Sequence, residues 1–358
     1  MRKKGLILVH SSRLFSLVQI LMMWFLGGLL ISGLLFAGSN DTLKILAGGD
    51  VMLGSWVEKV IEENGYDYPF RRLISVIDDA QIVFVNLEAP FGSSDSAYEK
   101  TYTFHVSPDL VEVLVAGKIN VVSLANNHIL DFGLADLKET FKTLDRYNIQ
   151  FSGAGLNISD ARKPAIFEVN DIKIALVSYS LTFPEEFWAT DTTAGTCFPY
   201  HTFFYDDLTR FKRQNDLVLV SFHWGAELMN SPKDYQIELA HNAIDAGADL
   251  ILGHHPHVVQ GIEIYKGKII VYSLGNYIFG SYSENARDSM LLKFFCVTDG
   301  IERCKIYPIS VYNKEVEFQP YLLKDSDKVS FFQELQQLSL ELNSQKIVIS
   351  EAGWVNLK

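Results

Sequence analysis

Cysteine is scarce: Cys197, Cys296 and Cys304 are the only three in 358 residues. That number excludes a disulfide-stapled scaffold, and none of the three has the spacing of a thiolate metal site. Cys296 and Cys304 flank Asp299-Gly300, a hairpin-turn pair. A cross-strand disulfide and two packed small hydrophobes are both open there, the second being the commoner outcome. Basic residues are also in deficit, since 31 Lys and Arg against 43 Asp and Glu leave a formal charge of −12. Nonspecific binding to nucleic acid or to an anionic membrane surface needs clustered Lys and Arg, so no nucleic-acid partner is expected. An anionic ligand would have to be held by local charge. Internal repeats and low-complexity tracts are missing as well.

Hydrophobic residues, by contrast, make up 48% of the chain, enough for a large core and for one big α/β domain with an appendage or two modest domains. Charge disappears altogether from Leu14 to Ala37, after Arg2, Lys3, Lys4 and Arg13. A bilayer crossing takes roughly 20 apolar residues. Residues 1–13 are therefore expected to be a cytoplasmic basic terminus and 14–37 a transmembrane signal anchor, with everything beyond Ser39 outside the cell membrane. A cleaved signal peptide is the rival reading, opposed by the length of the apolar run and by bulky Leu35 ahead of Ala37.

From Leu43 onward short apolar runs alternate with helical patterns. LKILAG, AQIVFVN, INVVSLA, IKIALVSY, DLVLVSF, ADLILG and KIIVYSL are predicted strands, rich in Val, Ile and Leu. Leu134, Leu137, Phe141 and Leu144 recur at helical spacing, and Ser107-Pro108 resembles a helix start. Such alternation predicts an α/β fold with a substantially parallel sheet. Residues 181–205, dense in aromatics, interrupt the rhythm as a lid or as a structural excursion. After residue 280 a hairpin is predicted over 290–312, then an amphipathic helix carrying Val329, Phe332, Leu335, Leu338 and Leu342.

The polar residues fall at one end of these strands. Asp50 follows LKILAG, Glu88 follows IVFVN, Asn127 and His128 follow VVSLA, His223 follows VLVSF, and His255 and His257 follow LILG. The carboxyl ends of strands in an α/β sheet form its ligand crevice. Carboxylate, amide and imidazole ligands without thiolate suit one or two divalent ions such as Mn, Fe or Zn, and metal-assisted hydrolysis. His128 would stand outside the ligand shell, as a proton donor or a stabiliser of a developing oxyanion. His254 is set aside because adjacent side chains point apart, whereas His255 and His257 flank Pro256 and can share a direction. Each residue also has a purely structural reading: Asp50 as a cap, Asn126 and Asn127 as turn residues, His223 as a satisfied core histidine.

Taken in order, GGDVMLG (48–54), NLEAP (86–90), LANNHILDFG (124–133), GAGLN (153–157), FHWGAE (222–227), GHHPHVVQG (253–261) and YSLGNYIFG (272–280) resemble the CapA-type poly-γ-glutamate capsule-synthesis family. That family is in turn similar to calcineurin-like metallophosphatases. The resemblance implies a four-layer αββα sandwich over 43–280, with 281–358 as a small hairpin and helix extension. It carries Asp50, Glu88, Asn127, His223, His255 and His257 to the metal positions and His128 to the catalytic one. One departure is plain: the usual Asp-x-His is here Asp50-Val51-Met52, so one site lacks a nitrogen ligand. Glu88 also replaces the usual aspartate. The family implies work on an anionic capsule or envelope polymer beside ligase or export subunits, in bacteria. Phosphoesterase-like hydrolysis, isopeptide cleavage and a noncatalytic, polyanion-binding scaffold all remain compatible with it.

Overall fold

Alternation within the first apolar run decides how it is buried. The computed structural model describes residues 42–357, and the run forms β1 (Leu43–Val51). Leu43, Ile45 and Ala47 face one hydrophobic core while Leu46 faces another, as expected of a strand covered on both sides. In chain order β2 (Ile82–Leu87), β3 (Val121–Ser123) and β4 (Gln150–Ser152) follow, each parallel to its predecessor. Next come β5 (Ala154–Gly155), β6 (Ala165–Val169), β7 (Ile172–Ser180), β8 (Gly195–Thr196), β9 (Leu217–His223), β10 (Leu250–His254), β11 (Ile262–Tyr265) and β12 (Lys268–Val271). Of these, β5 and β8 pair only with each other, and the others make a six-stranded sheet in the order β11-β12-β10-β9-β7-β6. Its inner strands β7, β9, β10 and β12 are parallel, with antiparallel edges.

The chain then returns to the first sheet with β13 (Asn276–Ile278), β14 (Asp288–Val297), β15 (Gly300–Ser310), β16 (Tyr321–Leu322) and β17 (Trp354–Val355). The hairpin β14–β15, predicted from its turn, pairs directly with β1, so residues beyond 280 complete this nine-stranded mixed sheet. Between the two sheets lies a core containing Ile45, Phe84, Leu176, Leu219, Leu252 and Leu292. Helices α1 (Trp56–Asn64), α2 (Val111–Ala116) and α3 (Gly133–Arg146) pack on the outer face of the first sheet. On the second sheet sit α4 (Phe204–Gln214) and α5 (Asp234–Asp245). The result is a mixed α/β fold.

Some expectations need correction. In α3 Leu137 and Leu144 are buried, but Leu134 is 45% exposed, because its position lies at the edge of the apolar stripe. The last helix, α6 (Asp325–Leu338), buries Phe331, Phe332 and Leu335 and leaves Val329 outside. It stops before Leu342, which packs instead on the second sheet's helix-side core. Ser107 precedes a short 3-10 turn, Pro108–Leu110, without capping it through its side chain. Cys296 and Cys304 are free and buried in the inter-sheet core, facing Ile301 and Phe294 across the hairpin. They act as small hydrophobes. Residues 181–205 pack through buried Phe187 and through Trp188, whose ring lies tilted against Phe198 with centroids 4.0 Å apart. The expected basic terminus 1–13 and signal anchor 14–37 lie outside the described residues. Among the described residues no helix is long and apolar enough to cross a membrane.

One close approach shapes the site end of the fold. The Asp50 N–H donates to Gly275 O at 3.0 Å, and β13 pairs beside it with Asp50 opposite Asn276. A Cβ on Gly49 would lie 1.8 Å from Gly275 O, so the two backbones touch only because that side chain is missing. Gly49→Ala is expected to cost about 3 kcal/mol or more, the upper end for overpacking, because backbone cannot step aside. Chemical denaturation of the variant against the parent checks it.

Candidate metal centre

Register brings the polar residues together before any side chain is considered. Asp50 stands opposite Asn86 on one side and Asn276 on the other, and His223 stands opposite His254 in the second sheet. Glu88 lies just past β2 and Asn127-His128 just past β3. His255 and His257 occupy the turn after β10 with left-handed backbones, φ 94° and 59°, an uncommon conformation for non-glycine residues that concentrates at functional sites. The turn is held by the His255 N–H donating to Asp50 Oδ2 at 3.2 Å and the Leu228 N–H donating to Pro256 O at 2.8 Å.

Among the described residues two groups could each hold a cation: Glu88, His255 and His257, and Asp50, Glu88 and His223. In each group the ligand atoms lie within 4.8 Å of one another. Glu88 belongs to both. Asn86 ties the carboxylates together, its amide donating to Asp50 Oδ1 at 2.8 Å and to Glu88 Oε2 at 3.2 Å. Asn126 in turn donates to Asn86 Oδ1 at 3.1 Å and to Leu87 O at 2.8 Å. Asn127 Oδ1 lies 2.8 Å from His223 Nε2. His257 Nδ1 donates to Asn276 Oδ1 at 2.9 Å, which leaves Nε2, 3.7 Å from Glu88 Oε1, as the ring's ligand atom.

His128 belongs to neither group. Its Nδ1 is 2.6 Å from Asp131 Oδ2, and its backbone N–H donates to Asn126 Oδ1 at 3.1 Å. The Asp131 carboxylate fixes the proton on Nδ1, so Nε2 is the atom that can exchange a proton with a ligand. The Phe104 ring packs against His128 and the Phe279 ring against His257, each with centroids 4.5 Å apart.

Burial dominates the electrostatics. It works to raise the Asp50 carboxyl, but His254 and His257 outweigh it and hold Asp50 well below the ordinary value. Glu88 is driven well above the ordinary value by burial and then by the Asp50 charge. Burial, then the His255 charge, depresses His223. Burial and the His257 charge push His255 down to about 3. For His257 burial is overcome by Glu88 and Asp50, which raise it to about 9. Burial depresses His128 against the opposing pull of Asp131. Two neutral imidazoles therefore offer lone pairs beside a charged Asp50, and an arriving cation would displace protons from His257 and Glu88.

The donor set fits a divalent ion. Glu88 Oε1 and His255 Nδ1 are buried without any hydrogen-bond partner, an arrangement that costs stability unless a ligand uses those atoms. Oxygen and imidazole donors without thiolate suit Mn, Fe or Zn. Met52 contributes nothing here: it is buried in the helix-side core, and its sulfur accepts from the Gly54 N–H at 3.2 Å. His254, set aside on the sequence, is buried with Nδ1 3.2 Å from Asp50 Oδ1, supporting that carboxylate from beneath. Sequence reasoning missed Asn86, Asp131 and Asn276, although each sits inside a segment already singled out. It also missed Lys100, which no motif marks.

A mixed α/β domain with a buried histidine and carboxylate centre at its strand ends is the class these features define. Residues 44–281 match the family described as Bacterial capsule synthesis protein PGA_cap, and the chain belongs to that family. It is 34% identical over 277 residues to the PGA biosynthesis protein CapA of Bacillus subtilis (strain 168), covering 76% of this chain and 73% of that one. To the Capsule biosynthesis protein CapA of Bacillus anthracis it is 31% identical over 280 residues, 76% of this chain and 68% of the other. Among solved structures it aligns with the NAD nucleotidase NadN of Haemophilus influenzae at a TM-score of 0.47 and 14% identity, over 85% of this chain and 63% of that one.

The unpartnered Glu88 oxygen yields a prediction. Because the folded protein holds this carboxyl above its ordinary value of 4.5, ionising it costs stability, and the cost grows as pH rises past that value. Glu88→Gln is expected to raise the metal-free melting temperature by roughly 2–4 °C at pH 8, the scale of about 1 kcal/mol. The gain should vanish near pH 4, and the rise produced by added Mn²⁺ should shrink. Calorimetry at the two pH values, with and without Mn²⁺, checks both.

Proposed function

We propose that this chain is a membrane-anchored, extracytoplasmic protein of poly-γ-glutamate-type capsule or envelope polymer biosynthesis, with metal-dependent hydrolase chemistry. The observation that carries the chemistry is the convergence of Asp50, Glu88, His223, His255 and His257 at buried strand ends, with Glu88 Oε1 and His255 Nδ1 lacking partners within the protein. Family membership supports the polymer context. The order of layers, helices against a sheet, sheet against sheet, then helices again, supports the four-layer αββα description. The apolar segment 14–37 supports the anchor.

A divalent ion held by Glu88, His255 and His257, or by Asp50, Glu88 and His223, supplies Lewis acidity toward a phosphoryl or carbonyl oxygen and makes water more acidic. The chain's own residues do the rest. Asn86 keeps the two carboxylates in fixed relation, and Asn276 sets the tautomer of His257. Asp131 orients His128 so that Nε2 gives the leaving atom its proton. Asn127 adds an amide oxygen beside His223.

Met52 favours a second reading, a noncatalytic scaffold that uses one ion to bind polyanion within a synthesis or export complex. With its sulfur engaged by the Gly54 N–H, the corner where the family resemblance would put a nitrogen ligand has none. Metal analysis of the purified full-length chain comes first: Mn, Fe or Zn near one equivalent or above is expected, and only trace metal with no uptake on incubation sinks both readings. His128→Ala then separates them. Hydrolysis predicts a loss of about 10²–10⁴-fold in kcat with metal retained, measured on a phosphodiester panel and on poly-γ-glutamate. The scaffold predicts unchanged capsule yield in cells.

A further inference from the structure

Between β2 and α2 the chain makes a loop, residues 92–105, that no strand end accounts for. A bridge between Phe91 and Val106 closes its base, with the Gly92 N–H donating to Val106 O at 2.9 Å and the Val106 N–H to Pro90 O at 3.0 Å. Asp136 of α3 clasps both limbs, accepting from the Ser94 hydroxyl and from the Ser94 N–H at 3.3 Å, and lying 3.3 Å from His105 Nδ1. Asp131 clasps the middle. Its carbonyl accepts from the Tyr98 N–H at 2.7 Å and its Oδ2 from the Phe104 N–H at 2.7 Å.

Lys100 is the loop's charged contact with the site. Its Nζ lies 2.5 Å from Asn127 O and 2.5 Å from Asp131 Oδ1, with the side chain 18% exposed and set over the Phe187 ring at 5.4 Å. His128 Nδ1 is 3.2 Å from Nζ but only 2.6 Å from Asp131 Oδ2. The imidazole proton therefore goes to the carboxylate, and Lys100 acts on His128 through Asp131 and on Asn127 through its carbonyl. Two of the three ammonium donors thus have oxygen partners within the protein.

We propose that Lys100 is a positioning residue: its ammonium pins the 92–105 loop to Asn127 and Asp131, and so fixes the amide oxygen of Asn127 and the ring of His128 at the metal centre. The centre is then completed by a segment independent of the strand ends. Only the metal-binding part of the test rests on the proposed metal-dependent function.

Lys100→Ala and Lys100→Met in the full-length chain test it. In the metal-free protein, hydrogen exchange at the Tyr98, Phe104 and His128 amides is expected to speed up about tenfold or more, with the sheet amides unchanged. Mn²⁺ affinity measured by calorimetry should fall by roughly 10–100-fold, as for loss of a group supporting a metal ligand. Propylammonium should restore both in Lys100→Ala, whereas propanol should not, which separates a charged pin from simple packing. Wild-type exchange in both variants overturns the proposal, and so does a loss that propylammonium leaves uncorrected. A parent protein that takes up no Mn²⁺ removes the metal reading, and the exchange comparison then decides the role of Lys100.

Discussion

Two carboxylates, Asp50 and Glu88, are fully buried a few ångströms apart at the carboxyl ends of neighbouring parallel strands. Charges of one sign cannot both be kept there without compensation. Much of the surrounding structure is that compensation. Asn86 bridges them, His254 supports Asp50 from beneath, and His257 lies between the two with its pKa raised. The turn after β10, with His255 and His257 in left-handed backbone conformations, brings both imidazoles to Glu88. Glu88 Oε1 is still left without a partner, and a divalent cation is the simplest group that satisfies it.

Two close backbone contacts lie at this end of the fold. Gly49 lets β1 approach the Gly275 carbonyl, and Gly253 lets β10 approach the Tyr272 carbonyl, while across the two sheets Asp50 and His254 lie 3.2 Å apart. The two sheets meet through an apolar core rich in Leu, Ile, Val and Phe side chains, which holds their strand ends in fixed relation. Asp50 and Glu88 come from the first sheet, and His223 and the turn after β10 come from the second. A centre divided in this way depends on the packing of the two sheets as well as on the turn and loop that bring side chains to it.

Much of the site was legible in the chain. Asp50, Glu88, Asn127, His223, His255 and His257 each follow an apolar run, and a short continuous apolar run that ends in a polar residue is a local signal. Asn86 was less so, because an amide inside a strand resembles any satisfied polar residue until the register puts it between two carboxylates. Asp131 lay three residues from His128 in plain view, yet its carboxylate gains meaning only from the turn that brings it to Nδ1. The exposed Leu134 and Val329 show the reverse error, where periodicity assigned apolar residues to a face that their helices do not bury.

The amino-acid sequence by itself determined the alternation of strands and helices, the family and the residues that can ligate a cation, because these rest on local periodicity and on ordered motifs. Tertiary structure alone decided that Met52 points into the core, that His254 supports Asp50 and that Lys100 reaches Asn127 across 27 residues. It also decided that the hairpin beyond residue 280 completes the first sheet through β1. Those outcomes depend on strand register and on which sheet edge is open, both set by long-range pairing that no local pattern encodes.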